Sequence, residues 1–432
     1  MGDQRGQTPL KHTAGTVNLN AKLSMGSDPF DPVASVLQDY PMLNDSSPLS
    51  RREFSRLVAL AAGGSAVTGE TLRSLAAAVS VPDASPPWPG YDRAIVIDLL
   101  ATAGPFNVPG MFDNSLTPAM VENAARSGIT AVNSTVSEIT TADRAFELTV
   151  KNIAAWDYEL EHHPNVFTLV RRLEDIRAAK RERKVGVILG FQDTLSYADK
   201  IERVEIFHRL GVRIVQLTYN GSNLVGDGCL VPNDAGLKPY GREVLAKLND
   251  LATLIDVSHV GWETTRQAIA ASRAAIAATH TGAAAVNNVP RNKPDDILRG
   301  IAQRGGVVGV YMMPFLRAFG QPNADDFLRH LSHCLNVCGE DHVGVGSDLS
   351  ITPLALTPEF RKVHADFVKV RRARGVSAPG EDENVFNYVP DFNTPRRMDQ
   401  VADRLAAAGH ASARIEKIIG GNWMRLLGDV WK

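Results

Sequence analysis

Three consecutive stretches decide how this chain folds: Leu254-Ile255-Asp256-Val257-Ser258-His259, then Trp262–Ser272, then Ala275-Ile276-Ala277-Ala278-Thr279-His280. The first and third are short apolar runs of strand length. The segment between them is amphipathic with helical spacing. An apolar strand, a helix and a second apolar strand form the unit that lays two strands parallel with the helix across one face. Parallel strands deliver their C-terminal ends to the same edge, so His259 and His280 are brought to one side of the sheet.

Outward from this unit the pattern repeats. Strands are expected at Ala94–Asp98, Thr130–Thr135, Val185–Phe191, Val212–Leu217, Leu254–Val257, Ala275–Thr279, Val307–Val310 and Val343–Ser347. Helical stretches such as Arg144–Glu161, Lys200–Leu210, Arg242–Leu251, Trp262–Ser272 and Asp325–Cys338 lie between them. Eight alternations over roughly 250 residues are the size of one closed (β/α)8 TIM barrel, an α/β fold. No Gly-x-Gly-x-x-Gly turn follows the first strand, which argues against an open nucleotide-binding sheet. Helical patterns near Pro358–Arg374, Arg397–Ala408 and Ala411–Leu427 are extra C-terminal helices, expected on the outside of the barrel.

The 432 residues fit one such barrel with insertions, residues 93–432, preceded by a non-barrel region. The formal net charge is −2, from 46 basic and 48 acidic side chains. That balance offers no basic field for nucleic acid or anionic lipid, so the expected partner is a small molecule or a dipeptide. Three cysteines, Cys229, Cys334 and Cys338, are no disulfide framework. Cys334 and Cys338 share a helix face with His330 and His333 close by, but Phe327, Leu328, Leu331 and Leu335 around them make this a packed helix. A homodimer is the default expectation for a soluble enzyme.

Near the front, Ser50-Arg51-Arg52-Glu53-Phe54-Ser55-Arg56-Leu57 resembles a twin-arginine export motif, with the weakly apolar stretch Val58–Val67 and the small residues Ala76-Ala77-Ala78 behind it. A spanning helix needs about 20 apolar residues, so this reads as a targeting segment and not a stable membrane span. Residues 50–80 are assigned to the signal, 81–92 to a Pro-rich linker, and 1–49 to a disordered extension. Met42 makes a more natural start, which leaves residues 1–41 as an upstream addition. The expected location is the periplasm or outside a bacterial cell.

In a (β/α)8 barrel the chemistry sits at the C-terminal ends of the strands. His259 ends the fifth strand, His280 the sixth and Asp348 the eighth. Two imidazoles and a carboxylate are a donor set that suits Zn²⁺ and leaves a fourth position for water. A metal there would lower that water's pKa, with Asp348 accepting its proton. Arg291, in the loop after His280, is placed to hold a substrate carboxylate through paired hydrogen bonds. The loop after the fourth strand offers Tyr219 and Asn220, and Tyr311 follows the seventh strand at the same rim.

Several of these stretches together resemble the membrane (renal) dipeptidase family. The likeness rests on Ile255-Asp256-Val257-Ser258-His259-Val260, Thr279-His280-Thr281, Pro290-Arg291-Asn292-Lys293-Pro294-Asp295-Asp296, Val343-Gly344-Val345-Gly346-Ser347-Asp348 and the closing Gly420-Gly421-Asn422-Trp423. It implies a zinc-dependent, amidohydrolase-like barrel in which the counterparts of His259 and His280 bind one zinc. It also implies that Asp348 is the acid/base and that Arg291 grips the dipeptide's carboxylate. Three departures follow. The first-strand His-x-Asp pair that binds the other zinc is missing from Asp98-Leu99-Leu100-Ala101-Thr102. The bridging Glu is replaced by Gln192, a neutral amide that cannot balance two divalent cations. The family's substrate-binding His falls on Tyr219 or Asn220. The expectation is an exported dipeptidase-like hydrolase with one zinc ion at most, with Gln192 counted among the substrate contacts. The alternatives are an isomerase or tautomerase of siderophore-type maturation, or a non-catalytic accessory protein.

Overall fold

A computed structural model describes residues 87–106, 112–373, 375 and 377–432. The expected extension, the signal segment and the front of the linker lie outside the described residues. Within residues 87–92, at the end of the expected linker, Trp88 and Tyr91 are buried. The Trp88 indole donates to Ser412 Oγ at 3.1 Å.

Eight strands carry the fold: β1 Ile97–Asp98, β2 Ala131–Thr135, β3 Val185–Phe191, β4 Val212–Gln216, β5 Leu254–Asp256, β6 Ala277–Thr281, β7 Val307–Val310 and β8 Val343–Val345. Each pairs in parallel with the next. The short strand Phe167–Leu169 adds to the start of β3. The ring closes between β8 and β1, where Leu99 N–H donates to Val345 C=O at 3.2 Å. Above that contact, Asp348 N–H donates to Leu100 C=O at 2.8 Å, and Leu349–Ser350 runs parallel to Ala101–Thr102. Asp98 reinforces the seam by accepting the Ser347 N–H at 2.6 Å. The arrangement is the expected (β/α)8 barrel.

Alternation along the strands divides the apolar residues into two sets. Ile97, Ala131, Ile188, Ile214, Leu254, Ala277 and Val307 form one cluster around Trp423. Their neighbours Val132, Val187, Leu189, Val215, Ile255, Ala278 and Val308 belong to the larger cluster beneath the helices. The first set fills the lower interior of the cylinder, and Trp423, from the helix Asn422–Val430, stoppers its base. The Trp423 indole donates to Val345 C=O at 3.0 Å. A Cβ on Gly344 would stand 2.6 Å from that ring, and one on Gly420 would stand 2.0 Å from Ile95 O. The closing Gly420-Gly421-Asn422-Trp423 stretch is therefore the plug of the barrel's floor.

The helix Ala324–Cys338 illustrates how sequence sets these elements. Asn323 caps it, accepting the Asp326 N–H while the Asp326 side chain returns the bond, and Gly339 at φ 83° ends it. Cys334 and Cys338 lie buried on its inner face, as a packed helix requires. His330 also faces inward and is fully used, accepting from Ala283 N–H at 2.9 Å and donating to Leu316 O at 3.0 Å. One element departs from expectation. The helix Pro358–Ala373 does not simply cover the outside, because it and the residues after it reach a cavity at the barrel mouth. It does so because its inner face carries the polar Arg371 beside the aromatic Phe367, a face suited to a polar mouth and not to a barrel flank.

Candidate active site

The site is organised from a carboxylate in an otherwise apolar strand. Asp256, fully buried at the end of β5, accepts from Ser258 N–H at 3.0 Å, Ser258 Oγ at 2.6 Å and Thr279 N–H at 2.9 Å through one oxygen. Its other oxygen accepts the Thr279 hydroxyl at 2.7 Å. Burial pushes this carboxyl up, and these hydrogen bonds pull it back down. Asp256 thereby ties the ends of β5 and β6 together just below the two histidines.

The network fixes both imidazole tautomers. The Thr279 hydroxyl donates its hydrogen bond to Asp256, so at 2.8 Å it can only accept from His280 Nδ1–H. The His280 Nε2 lone pair therefore points on towards the Gln192 amide nitrogen, 3.4 Å away, which donates to it. His259 Nδ1 lies 2.7 Å from Asn220 Oδ1 and must donate to it, which leaves the lone pair on Nε2. That Nε2 is buried and has no partner among the described residues. The two rings stand 5.0 Å apart, and Tyr219 stacks on His259 at 4.1 Å and 25°. Burial first, and the Arg291 charge second, hold both imidazoles well below the usual histidine range. Both are neutral at pH 7.

Arg291 is almost wholly buried, with Nη1 donating to Ser258 O at 2.8 Å. Its guanidinium lies 5.3 Å from the Tyr311 ring centre and 5.8 Å from that of Phe315. Its Nε and Nη2, the side-on fork of the group, are buried and have no partner among the described residues. Leaving charged donors unmet inside a protein is costly, which is the signature of a place kept for an anion. Asp348 adopts φ 63°, a left-handed conformation uncommon for residues other than glycine and held where the surroundings favour it. What favours it here is the seam hydrogen bond from its own N–H to Leu100.

Tyr219, Asn220, His259, Arg291 and Asp348 line one small cavity of about 20 Å³. The sequence-derived candidates thus converge, with three set apart from that wall. His280 is fully buried behind His259, Gln192 backs His280, and Tyr311 lies beneath Arg291, donating to Asn292 Oδ1 at 2.5 Å. Other contributors were not singled out from the sequence. Asp193 accepts Tyr219 N–H at 2.6 Å and Asn223 Nδ2 at 3.0 Å, and burial pushes it up to about 6. Phe367, Arg371, Glu381 and Asn387 come from the C-terminal excursion and line the same cavity. Asp256 carried a signal, since an acid between Ile255 and Val257 has to be a hub of hydrogen bonds. Arg371 and Glu381 carried none, lying in a surface-like charged helix and loop.

A two-metal centre does not fit these residues. Among the described residues no group of three or more His, Cys, Asp or Glu side chains stands where it could hold an ion. His259, His280 and Asp348 are therefore not assembled into the expected cage. The His280 lone pair is capped by the Gln192 amide, and Leu100, two residues beyond β1, is apolar and buried.

A family model for membrane dipeptidase, peptidase family M19, matches residues 111–359. The chain is 28% identical over 254 residues to the dipeptidase verJ of Clonostachys rogersoniana. That match covers 56% of this chain and 62% of the relative, so it spans less than two thirds of the relative's length. An amidohydrolase from Pseudomonas aeruginosa superposes with a TM-score of 0.67 at 31% identity, over 79% of this chain and 98% of that one. A metallopeptidase from Rhodobacter sphaeroides, solved with a phosphinate mimic of the dipeptide L-Ala-D-Ala, shares the fold: its TM-score is 0.62 at 18% identity, over 78% of this chain and 100% of that one. On its barrel, its ordered strand-end motifs and these matches, the chain belongs to the membrane dipeptidase family of metallopeptidases.

Proposed function

We propose that the protein hydrolyses a dipeptide, or a similar small amide with a free carboxylate, using a reduced centre of one zinc ion at most. The observation that carries this reading is the buried Arg291 fork, without a partner among the described residues and on the same cavity wall as His259 and Asp348. A carboxylate placed on Nε and Nη2 forms a bidentate, charge-assisted pair. The amide of the same molecule is then presented to Asp348 and His259, which line the same small cavity. The Asp348 carboxylate takes the proton of an attacking water and returns it to the departing amine nitrogen as the C–N bond breaks. His259 Nε2 accepts a hydrogen bond from that water, and its neutral form at pH 7 is the one able to do so.

The test is turnover of L-Ala-D-Ala by the purified full-length chain, with metal content measured on the same sample. Arg291→Met should raise KM by about a hundredfold, the loss expected for a buried charge-assisted pair of ~2–3 kcal/mol. An Arg291→Met protein that binds and hydrolyses as the parent does would remove the basis of the proposal. The Gln192 amide on His280 favours a second reading, in which a proton is moved within a bound molecule without hydrolysis. Metal-free protein that exchanges substrate C–H for solvent deuterium but releases no alanine would support that isomerase reading instead.

We further propose export by the twin-arginine route, on the strength of Arg51-Arg52 and the weakly apolar stretch behind them. Among the described residues no helix is long and apolar enough to cross a membrane. Changing both Arg51 and Arg52 to Lys should leave a fused reporter in the cytoplasm, and unchanged export of that fusion would count against the assignment.

A further inference from the structure

We infer that a basic cleft at the floor end of the barrel, between the starts of β2 and β3, binds a small molecule through its phosphate group. The inference is independent of the hydrolase reading, which concerns the opposite end of the cylinder.

The sequence concentrates charge at this place. Residues 171–184 carry seven basic side chains against three acidic ones, in a chain whose formal net charge is −2. The helix Leu173–Glu182 has Lys180 and Arg181 in its last turn, and Arg183 follows it at φ 56° before β3 begins. The helix Pro118–Arg126 likewise ends on Arg126, and Ile129 and Thr130 lead into β2. Both joins enter their strands at the N-terminal end, so they share the face of the barrel turned away from the mouth.

Between the joins lies a cleft of about 500 Å³, within the range of small-molecule sites. Arg126, Lys180, Arg183, Lys184 and Arg396 line it, with Asp92 as the one carboxylate among the described residues. Two of the five cations are neutralised. Lys184 pairs with Glu182 at 2.8 Å, and Arg396 with Asp399 at 2.8 Å and Asp92 at 3.2 Å. Arg126, Lys180 and Arg183 form no ion pair among the described residues. Arg126 is held all the same, because Asn123 Oδ1 accepts from its Nε at 3.1 Å and its Nη2 at 2.7 Å. Its charge is thereby fixed in place without being balanced. Lys180 is half-buried, and burial pushes its ammonium down, a cost that a bound anion offsets.

Three unbalanced cations in one concavity focus the potential on whatever enters it. A single carboxylate brings one negative charge and two oxygens. A phosphate ester brings about 1.5 to 2 negative charges and three acceptor oxygens, which two guanidinium groups and an ammonium can share. Ala125, Ile129 and Ala179 on the same lining offer an apolar wall to the rest of the molecule.

Calorimetric titration of the full-length protein with inorganic pyrophosphate tests this without requiring turnover, and one saturable site is expected. Lys180→Gln and Arg183→Asn should each raise Kd about tenfold, as expected on losing one charge-assisted hydrogen bond. Asn accepts the left-handed backbone that Arg183 holds, so that variant keeps the fold. Arg181 is the next residue after Lys180 but does not line the cleft. Arg181→Gln should therefore shift Kd by less than about twofold at physiological salt. Arg291→Met, which removes the anion partner at the mouth, should leave pyrophosphate binding as in the parent. The inference is overturned if the parent shows no saturable binding, or if Arg181→Gln weakens binding as much as the two cleft variants. It is also overturned if Arg291→Met alone abolishes binding, since the anion then sits at the mouth. Sedimentation with phosphatidylglycerol vesicles in the absence of pyrophosphate binding overturns it too, and marks a membrane-facing surface instead.

Discussion

Lys293 sits two residues after Arg291 and is fully buried. Its ammonium donates to Val260 C=O and lies 3.5 Å from Thr265 Oγ1, and burial pushes it down to about 7. The folded protein therefore releases this proton near pH 7, whereas the unfolded chain keeps it to about 10.5. Between those values the unfolded state binds more protons, so the stability of the wild type rises with pH across that window. Below pH 7 the cost of the buried charge is at its full value. Lys293→Met should thus be most favourable relative to wild type at pH 6, by a few kcal/mol, and lose that advantage by pH 10. Denaturant melts at the two pH values decide it, and a constant difference would show that the lysine is charged throughout. At this scale the legible residues were those at strand ends, where position alone implies a rim: His259, His280, Asp348 and the loop residue Arg291. Asp256, Asp193 and Lys293 were not legible as partners. Their importance lies in which backbone amides and carbonyls reach them, and that is settled only when β5 and β6 lie side by side.

The elements were read from two periodicities, and where these were strong the reading held. β3 and β7 fall on the expected residues, and β5 and β6 frame the helix Trp262–Ala271 as the opening stretches require. The short strand Phe167–Leu169 was not announced, because so few residues make no pattern. The excursion from Pro358 to Tyr388 was harder still. Its charged, amphipathic helix suggests a solvated flank of the barrel, and its turn to the mouth depends on partners remote in sequence. Gln321 supplies one anchor, donating to Phe386 O at 2.9 Å and Tyr388 O at 2.6 Å while accepting from Phe386 N–H at 2.8 Å. Arg371 meets the mouth as well, lining the same small cavity as Tyr219. A long-range tether of this kind leaves no trace in local spacing, so from sequence alone the helix reads as an outer one.

Over the whole molecule, floor and mouth divide the labour. The floor is apolar, with Trp423 inside a ring of strand residues, and the mouth is a polar network around Asp256 and the two imidazoles. Removing a fully buried Trp leaves a large void, so Trp423→Ala should lower stability by about 3–5 kcal/mol. Because the void opens below the Asp256 network, folded Trp423→Ala protein should keep the His259 carbethoxylation rate of the parent. A chemical-denaturation midpoint within error of wild type would show that the floor does not carry the barrel.

The seam between the first and last strands has a temporal side. Leu99 can find its acceptor on Val345 only after nearly the entire polypeptide has left the ribosome, and the indole beneath them is made later still. Until then β1 has one neighbour and an unpaired edge, a template on which other chains can add. The nascent protein must spend most of its synthesis with that edge exposed, so its yield in the cell should depend on whatever shields an unfinished cylinder.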